Sequence, residues 1–448
     1  KLSAYTPLVT RAAMLAVSAF ALLGVFRLAR QVSNLQVAAA STLLTALYPV
    51  FFAQSSLAHL DMMAAGFTLW GLSSYLRHHW WQAAVWFALA GISKETALVT
   101  PMALFGWEAV RRIWNLQSLI TKGAEDTEDT GWKPLLLLAS LLPLLGWLTF
   151  HWTRTGIFFG NPEYFRYNVG ATVHPLRIVL ALLERLWQLL GYLNMFVLTC
   201  AAALAMGYAP IRQDGQERPR IAIPVQAVFA VVIAAYLAML AVVGGAVLAR
   251  YLLPVYPLAV IVCVSTLWRR ITWWPFAVGV AAIAFVAGLF VVPPYQISPE
   301  DNLSYVDFVR LHQQAAEKIA AFSEARVLTA WPASDELTRP YLGYVPHSVP
   351  VVQIENFTLG ELSRARKQDG EYNCALVFSS KFQPSHPFHP AWWERRQTRF
   401  FDYHRDLPPE AAAQVLGGNI LYEAHRGGEW VAIIAAGSAM ETENAKLK

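Results

Sequence analysis

Long apolar runs separated by short polar stretches make up the first two thirds of the chain. One of them, VQAVFAVVIAAYLAMLAVVGGAV at 225–247, has no charged residue and is long enough to cross a bilayer. The pattern predicts ten membrane segments, at about 12–28, 35–53, 62–77, 81–93, 96–110, 134–150, 188–207, 224–246, 252–268 and 272–293. The short runs 81–93 and 96–110 suggest a tight helical hairpin or a partly sunken pair.

The pattern changes at Pro293-Pro294, and the rest of the chain is no longer membrane-like. An amphipathic helix is predicted at 312–322. Predicted strands are RVLTAW (326–331), CALVFSS (374–380) and a hairpin of NILYEAH and EWVAIIAA around Gly427-Gly428. The predicted fold is therefore mainly α: a polytopic helical membrane domain at 1–294, followed by an extramembrane α/β domain at 295–448.

Composition supports a membrane protein. The chain is 56% hydrophobic and 15% charged, with a mean hydropathy of +0.38, whereas soluble domains carry about 25% charged residues. The three cysteines, Cys200, Cys263 and Cys374, offer no disulfide framework. The net charge of +5 is better explained by membrane sidedness than by nucleic-acid binding.

Lysine and arginine gather at one set of loop ends, which the positive-inside rule places in the cytoplasm. These residues are Arg27, Arg30, Arg77, Arg111, Arg112, Lys122, Lys133, Arg212, Arg218, Arg220, Arg269 and Arg270. The opposite, outer side then holds 1–8, 54–61, 94–95, 151–187, 247–251 and everything after 294. The location predicted is a bacterial inner membrane with the C-terminal domain outside.

Several cations fall on the outer side against this rule, and such residues are candidates for function. They are Lys94, Arg154, Arg166, Arg177, Arg185 and Arg250. Few outer anions are available to pair with them, so an external anion such as a phosphate is the expected partner. Arg250 precedes Tyr251 and two prolines, a rigid aromatic setting in which a guanidinium can grip phosphate with two hydrogen bonds.

Alternative structural roles exist for the outer polar residues. Asp61 can be the N-cap of a helix at 62–77, and Lys94 can be a solvated charge in a hairpin turn. The helix PLRIVLALLERLW at 175–187 is predicted to lie in the outer interface as a connector, with Arg177, Glu184 and Arg185 on its polar side, or to form a wall of an acceptor cleft. The outer histidines His59, His151 and His174 make a divalent metal near Asp61 a candidate cofactor, but their spacing fits no metal motif and favours hydrogen-bonded histidines.

Three stretches together resemble GT-C-fold glycosyltransferases, in the branch of the protein O-mannosyltransferases and the aminoarabinose transferase acting on lipid A. They are NLQVAAASTLLTALYPVFFAQSSLAHLDMMAAGFTLWGLSSYLRHH, ALAGISKETALVTPMALFGWEAVRR and RYLLPVYPL. The resemblance covers roughly 10–290. It implies sugar transfer at the outer membrane face, from a polyprenyl-phosphate donor to a lipid, glycan or protein hydroxyl, among membrane lipids and without nucleic acid.

The resemblance also implies roles for individual residues. Asp61 would be catalytic. The donor phosphate would be bound by Lys94 and Arg250, with Arg166 or Arg154 as helpers. The remaining substrate contacts would come from His59, Glu95, Glu163, Tyr167 and Tyr251.

One part of the family pattern is not found. Family members carry their main catalytic carboxylate in a first outer loop, and the chain begins where that loop would end. We therefore expect a first span and its loop acid to precede residue 1. The alternative function is a non-catalytic membrane subunit or a lipid or glycan transporter with the same fold. An ion-coupled carrier is disfavoured because the spans carry almost no charge.

Overall fold

The computed structural model describes residues 6–122, 132–157, 173–244, 246–322, 324–368, 370–380, 391–401 and 403–436. Two compact units are present, one of residues 13–288 and the other of residues 1–12 with 289–448. The fold class predicted from the sequence is confirmed: the chain is mainly helical, with strands concentrated in its C-terminal part.

The helices of the first 290 residues follow the apolar runs. They are α1 Thr6–Val32, α2 Leu35–Leu47, α3 Pro49–Gln54, α4 Leu60–Tyr75, α5 Trp80–Ser93, α6 Val99–Lys122, α7 Leu135–Ala139, α8 Leu142–Thr155, α9 Pro175–Leu190, α10 Met195–Ala205, α11 Ile223–Val242, α12 Tyr256–Arg270 and α13 Trp274–Phe290. A two-residue pair, β1 Arg212–Gln213 and β2 Gln216–Glu217, separates α10 from α11.

Four helices of the described residues are long and apolar enough to cross a membrane. They are Pro7–Val32, Leu135–Thr155, Pro175–Ala205 and Ile223–Val242. The third contains a 3-10 turn at Tyr192–Asn194 between α9 and α10, where Leu193 and Asn194 have left-handed backbone angles. The ten-segment topology and its orientation stay predictions.

Local sequence explains where the helices begin and end. Asn34 caps α2, since its side chain accepts a hydrogen bond from the Val37 backbone N–H at 3.0 Å. The predicted segment 35–53 is split because Tyr48 is extended and Pro49 starts a new helix, α3.

Helix α5 packs chiefly against α4, not against the following segment as the sequence suggested. Gly71 of α4 permits this close approach, because a Cβ there would lie 2.5 Å from the ring of Phe87 on α5. Aromatic rings connect the three helices: Phe20 of α1 stacks on Trp70 of α4 at 5.3 Å between centroids, and Phe67 of α4 stacks on Trp86 of α5 at 5.9 Å. The predicted short segment 96–110 is a 3-10 turn at Glu95–Leu98 followed by the 24-residue α6.

The C-terminal unit contains a five-stranded mixed sheet of order β4-β3-β5-β7-β6. Its strands are β3 Val327–Ala330, β4 Val351–Ile354, β5 Cys374–Phe378, β6 Asn419–Arg426 and β7 Glu429–Ala435. Its helices are α14 Ser304–Ala320, α15 Ala333–Thr338, α16 Leu359–Ala365, α17 Ala391–Phe400 and α18 Pro409–Leu416. Strand β3 pairs in parallel with β4 and β5, while β7 is antiparallel to β5 and β6.

The predicted strands and hairpin of this unit are confirmed, and β4 was missed. Gly427 and Gly428 form the two-residue turn of the β6–β7 hairpin, both with positive φ (56° and 90°), as a type I′ turn requires. Strands β3 and β5 are buried at every residue, which fits a sheet covered on both faces.

A buried carboxylate lies at the start of β7. Glu429 is 1% exposed, and neither of its oxygens has a hydrogen-bond partner among the described residues. Burial, with a smaller contribution from the Asp307 carboxylate on α14, raises the pKa of Glu429 to about 8. The folded unit therefore holds a proton on Glu429 at pH values where the unfolded chain has lost it.

We expect the C-terminal unit to lose stability as pH rises. The proton on Glu429 stabilises the fold fully below the unfolded pKa of 4.5, and this contribution disappears as pH approaches about 8. Thermal unfolding of wild type and Glu429→Gln at pH 5, 7 and 9 measures the effect, which amounts to a few kcal/mol. Glu429→Gln should flatten the pH dependence, and an equal slope in both proteins would contradict the assignment.

Candidate functional site

The α4–α5 hairpin brings Asp61 and Lys94 together. The two helices are antiparallel and joined by four residues, so the first turn of α4 lies beside the last turn of α5. Asp61 is in the first turn of α4, and Lys94 is the C-cap of α5. Each charge is also favoured by the dipole of its own helix end.

Asp61 is not the helix cap that the alternative interpretation required. Helix α4 begins at Leu60, its N-cap is His59, and no side-chain cap bond is made there. The Asp61 carboxylate instead pairs with two cations from distant parts of the sequence. Lys94 Nζ donates a hydrogen bond to Asp61 Oδ1, and Arg250 Nε lies 3.5 Å from Asp61 Oδ2.

These three side chains are largely shielded from solvent. Their exposed fractions are 8% for Asp61, 15% for Lys94 and 17% for Arg250. Charges interact more strongly in such a setting than on an open surface, because less water screens them. The Asp61 carboxylate offsets the electrostatic repulsion between the two neighbouring cations, Lys94 and Arg250.

Tyr251 forms the aromatic wall of this cluster. Lys94 Nζ lies 3.9 Å from the centre of the Tyr251 ring, within the range of a cation–π contact. The guanidinium carbons of Arg250 and Arg185 lie 5.7 and 5.8 Å from the same ring. Two cations thus share one carboxylate, and the guanidinium of a third, Arg185, approaches the Tyr251 ring.

The backbone that carries Arg250 is held by α9. Arg185 Nη1 donates to the Leu248 carbonyl at 2.7 Å and to Gln188 Oε1 at 2.8 Å. Gln188 Nε2 in turn donates to the Val247 carbonyl at 2.9 Å. These bonds fix the segment that runs into the 3-10 turn Ala249–Leu252, and so they set the position of Arg250.

Arg177 holds the residues that directly precede this segment. Its Nη2 donates to the Gly244 carbonyl at 2.5 Å, and its Nη1 lies 3.4 Å from the Ala241 carbonyl. Arg177 is 2% exposed and Arg185 is fully buried. Both arginines of the predicted polar side are therefore buried, and most of their hydrogen bonds go to backbone carbonyls of the 241–248 segment.

Of the other predicted site residues, His59 is near the cluster, since its ring interacts electrostatically with Asp61, Lys94 and Arg250. Its Nδ1 lies 2.6 Å from Gln54 Oε1. Glu95 is exposed beside Lys94. Arg154 is exposed at the end of α8, with its guanidinium 5.9 Å from the ring of Phe150 on the same helix, so the structure does not bring it to the cluster. The predicted contacts Glu163, Arg166 and Tyr167 lie outside the described residues.

The predicted metal candidate has no ligand set in the described ranges. No group of three or more histidine, cysteine, aspartate or glutamate side chains there is arranged to hold an ion. His151 Nδ1 instead contacts the Ile157 carbonyl at 2.9 Å, and His174 is the N-cap of α9. The cluster itself places two cations, Lys94 and Arg250, on the one carboxylate of Asp61.

Comparisons with known proteins returned similarity in structure only. No family model and no curated protein sequence matches the chain. Among solved structures, it is similar to the crystal structures of ArnT from Cupriavidus metallidurans bound to undecaprenyl phosphate and in the apo state. Each match has a TM-score of 0.49 and 14% sequence identity, and it covers 96% of this chain and 84% of the other.

Proposed function

We propose that the chain is a membrane glycosyltransferase that moves a sugar from a polyprenyl-phosphate donor to a hydroxyl of a lipid, glycan or protein at the outer membrane face. The observation that carries the proposal is that Lys94 and Arg250 both pair with the single carboxylate of Asp61 and are largely shielded from solvent. The three sequence stretches that resemble GT-C glycosyltransferases supply the residues of this same cluster.

The donor phosphate is the leaving group of the reaction. The acceptor oxygen forms a bond to the anomeric carbon while the bond from that carbon to the phosphate oxygen breaks. The electron pair of the broken bond stays on the phosphate, whose negative charge increases in the transition state. Lys94 and Arg250 are fixed cations that stabilise this charge where little water competes.

Asp61 serves two purposes in this scheme. Without substrate it holds Lys94 and Arg250 near each other and neutralises one of their charges. When the phosphate takes over the cations, the freed carboxylate can orient the acceptor hydroxyl and receive its proton. Tyr251 limits where Lys94 can move, because the ammonium group lies against its ring.

Turnover of labelled donors tests the proposal. The full chain in lipid nanodiscs is incubated with a panel of polyprenyl-phosphate sugars and candidate acceptors, and the release of polyprenyl phosphate is measured with the transfer of the label. We expect release that depends on both donor and acceptor in wild type, and a large loss in Asp61→Asn.

A matched control is the exposed ion pair of the C-terminal unit. Arg364 Nη1 lies 2.6 Å from Glu361 Oε1, and the Arg364 side chain is 80% exposed. Glu361→Gln should leave turnover unchanged. Movement of intact donor or acceptor across the bilayer without cleavage of the sugar–phosphate bond would overturn the proposal in favour of a transporter.

A further inference from the structure

A second cluster of cations lies at the other end of α4. A cavity of about 420 Å³ is lined by Phe26, Arg27, Arg30, Gln31 and Arg77. The first four residues belong to the last two turns of α1, and Arg77 lies two residues after the end of α4. The 16 residues of α4 place this cavity about 24 Å from Asp61, so it is separate from the site described above.

The cavity contains positive charge without a compensating acid. In the described part of the chain, no carboxylate forms an ion pair with any of its three arginines. Arg77 donates from Nε to the Ser73 carbonyl at 3.1 Å, while its Nη2 is buried and makes no hydrogen bond to any residue that the structure describes. A buried donor left without an acceptor is costly, and an anion in the cavity would satisfy it.

Side chains of α4 hold two other residues of the cavity, Arg27 and Gln31, in place. The guanidinium carbon of Arg27 lies 4.7 Å from the centre of the Trp70 ring, which fixes the head of this side chain. Gln31 Oε1 accepts a hydrogen bond from Ser73 at 2.9 Å. Contacts between α1 and α4 therefore hold Arg27 and Gln31 in the cavity wall, while Arg30 is exposed at its edge.

We propose that this cavity binds the phosphate of an anionic phospholipid. A lipid fits better than a soluble phosphate because the cavity lies at the end of α1, which is long and apolar enough to span a membrane. Phe26 adds apolar surface to the cavity wall, and Leu23, one turn earlier on α1, is 60% exposed where an acyl chain would run. The Lys/Arg bias predicts that this end faces the cytoplasmic leaflet, where anionic headgroups attract basic residues.

Native mass spectrometry of the full chain tests the proposal. Protein stripped of lipid is titrated with phosphatidylglycerol or with phosphatidylcholine, and retained lipid is counted. We expect phosphatidylglycerol to be retained preferentially. Arg27→Gln and Arg77→Gln should each weaken its retention about fivefold, whereas Arg27→Lys and Arg77→Lys should lose less because the charge remains.

Arg220→Gln is the matched control. Arg220 is exposed on the same predicted side of the membrane, but it does not line the cavity. Its replacement by glutamine removes the same charge as the two cavity variants. Its retention of phosphatidylglycerol should equal that of wild type. The proposal is overturned if the Arg27 and Arg77 variants, checked for thermal stability, retain the lipid as wild type does. It is also overturned if inorganic phosphate at the same concentration displaces the lipid.

Discussion

Replacing Lys94 with alanine is expected to lower the rate of sugar transfer by two to three orders of magnitude. Its ammonium group lies next to Asp61 and its side chain is 15% exposed, so in the proposed reaction it faces the donor phosphate where little water screens the charge. A unit charge at about 4 Å in such a setting is worth about 4 kcal/mol, and removing one preorganised donor in characterised enzymes costs about 3–4 kcal/mol. Steady-state turnover of a polyprenyl-phosphate sugar measures the loss.

The coupling of Lys94 to Asp61 gives this prediction a second measurement. If both residues serve one leaving group, the double variant Asp61→Asn with Lys94→Ala should lose far less than the product of the two single losses. Lys94→Arg should retain part of the rate, since it keeps the charge but changes the reach of the donor. Arg364→Ala, in the exposed pair with Glu361, controls for loss of a cation elsewhere. Unchanged turnover in Lys94→Ala would remove this residue from the site.

Replacing Arg185 with leucine is expected to lower the free energy of unfolding by about 2–4 kcal/mol. We also expect it to lower activity by displacing Arg250, although Arg185 itself has no proposed contact with the substrate. The change removes the donors for the Leu248 carbonyl and for Gln188 Oε1, and it leaves these buried acceptors unpaired. The turn at Ala249–Leu252 then loses the support that positions Arg250. Thermal unfolding in detergent, together with hydrogen exchange of amides 246–252, measures both effects.

Conservative replacement separates a positioning role from general damage. Arg185→Lys retains a charge and one donor direction, so it should recover part of the stability while still impairing the placement of Arg250. Arg154→Leu, an exposed arginine on α8, should change the free energy of unfolding by no more than about 0.5 kcal/mol. Normal protection of amides 246–252 in Arg185→Leu would show that α9 does not hold this segment.

The sequence was sufficient to identify the principal charged residues of the cluster. Asp61, Lys94 and Arg250 stood out because each is an isolated charge at the end of an apolar run, and the sidedness pattern placed them on one face. The sequence did not reveal that the Asp61 carboxylate pairs with both Lys94 and Arg250, since this pairing depends on the packing of α4 against α5. The four-residue connection between these helices was a usable signal for that pairing.

Arg177 and Arg185 show why the partners of the other buried charges could not be predicted from the sequence. An amphipathic pattern predicts which side of a helix is polar, but it cannot tell water from a row of backbone carbonyls as the partner. In the C-terminal unit, β3, β5 and the β6–β7 hairpin were predictable from apolar runs and the Gly-Gly turn. Strand β4 is only four residues long and partly exposed, and its pairing with β3 is non-local.

The pairing of Asp61 with both cations has a kinetic consequence. Because the carboxylate is tethered, it competes with any bound phosphate for Lys94 and Arg250 at a fixed, high effective concentration. In the proposed reaction, the product lipid phosphate therefore leaves by exchange, as Asp61 pairs again with the two cations. This competition lowers the proposed affinity for donor and product alike, and it favours release of the product phosphate after each turnover.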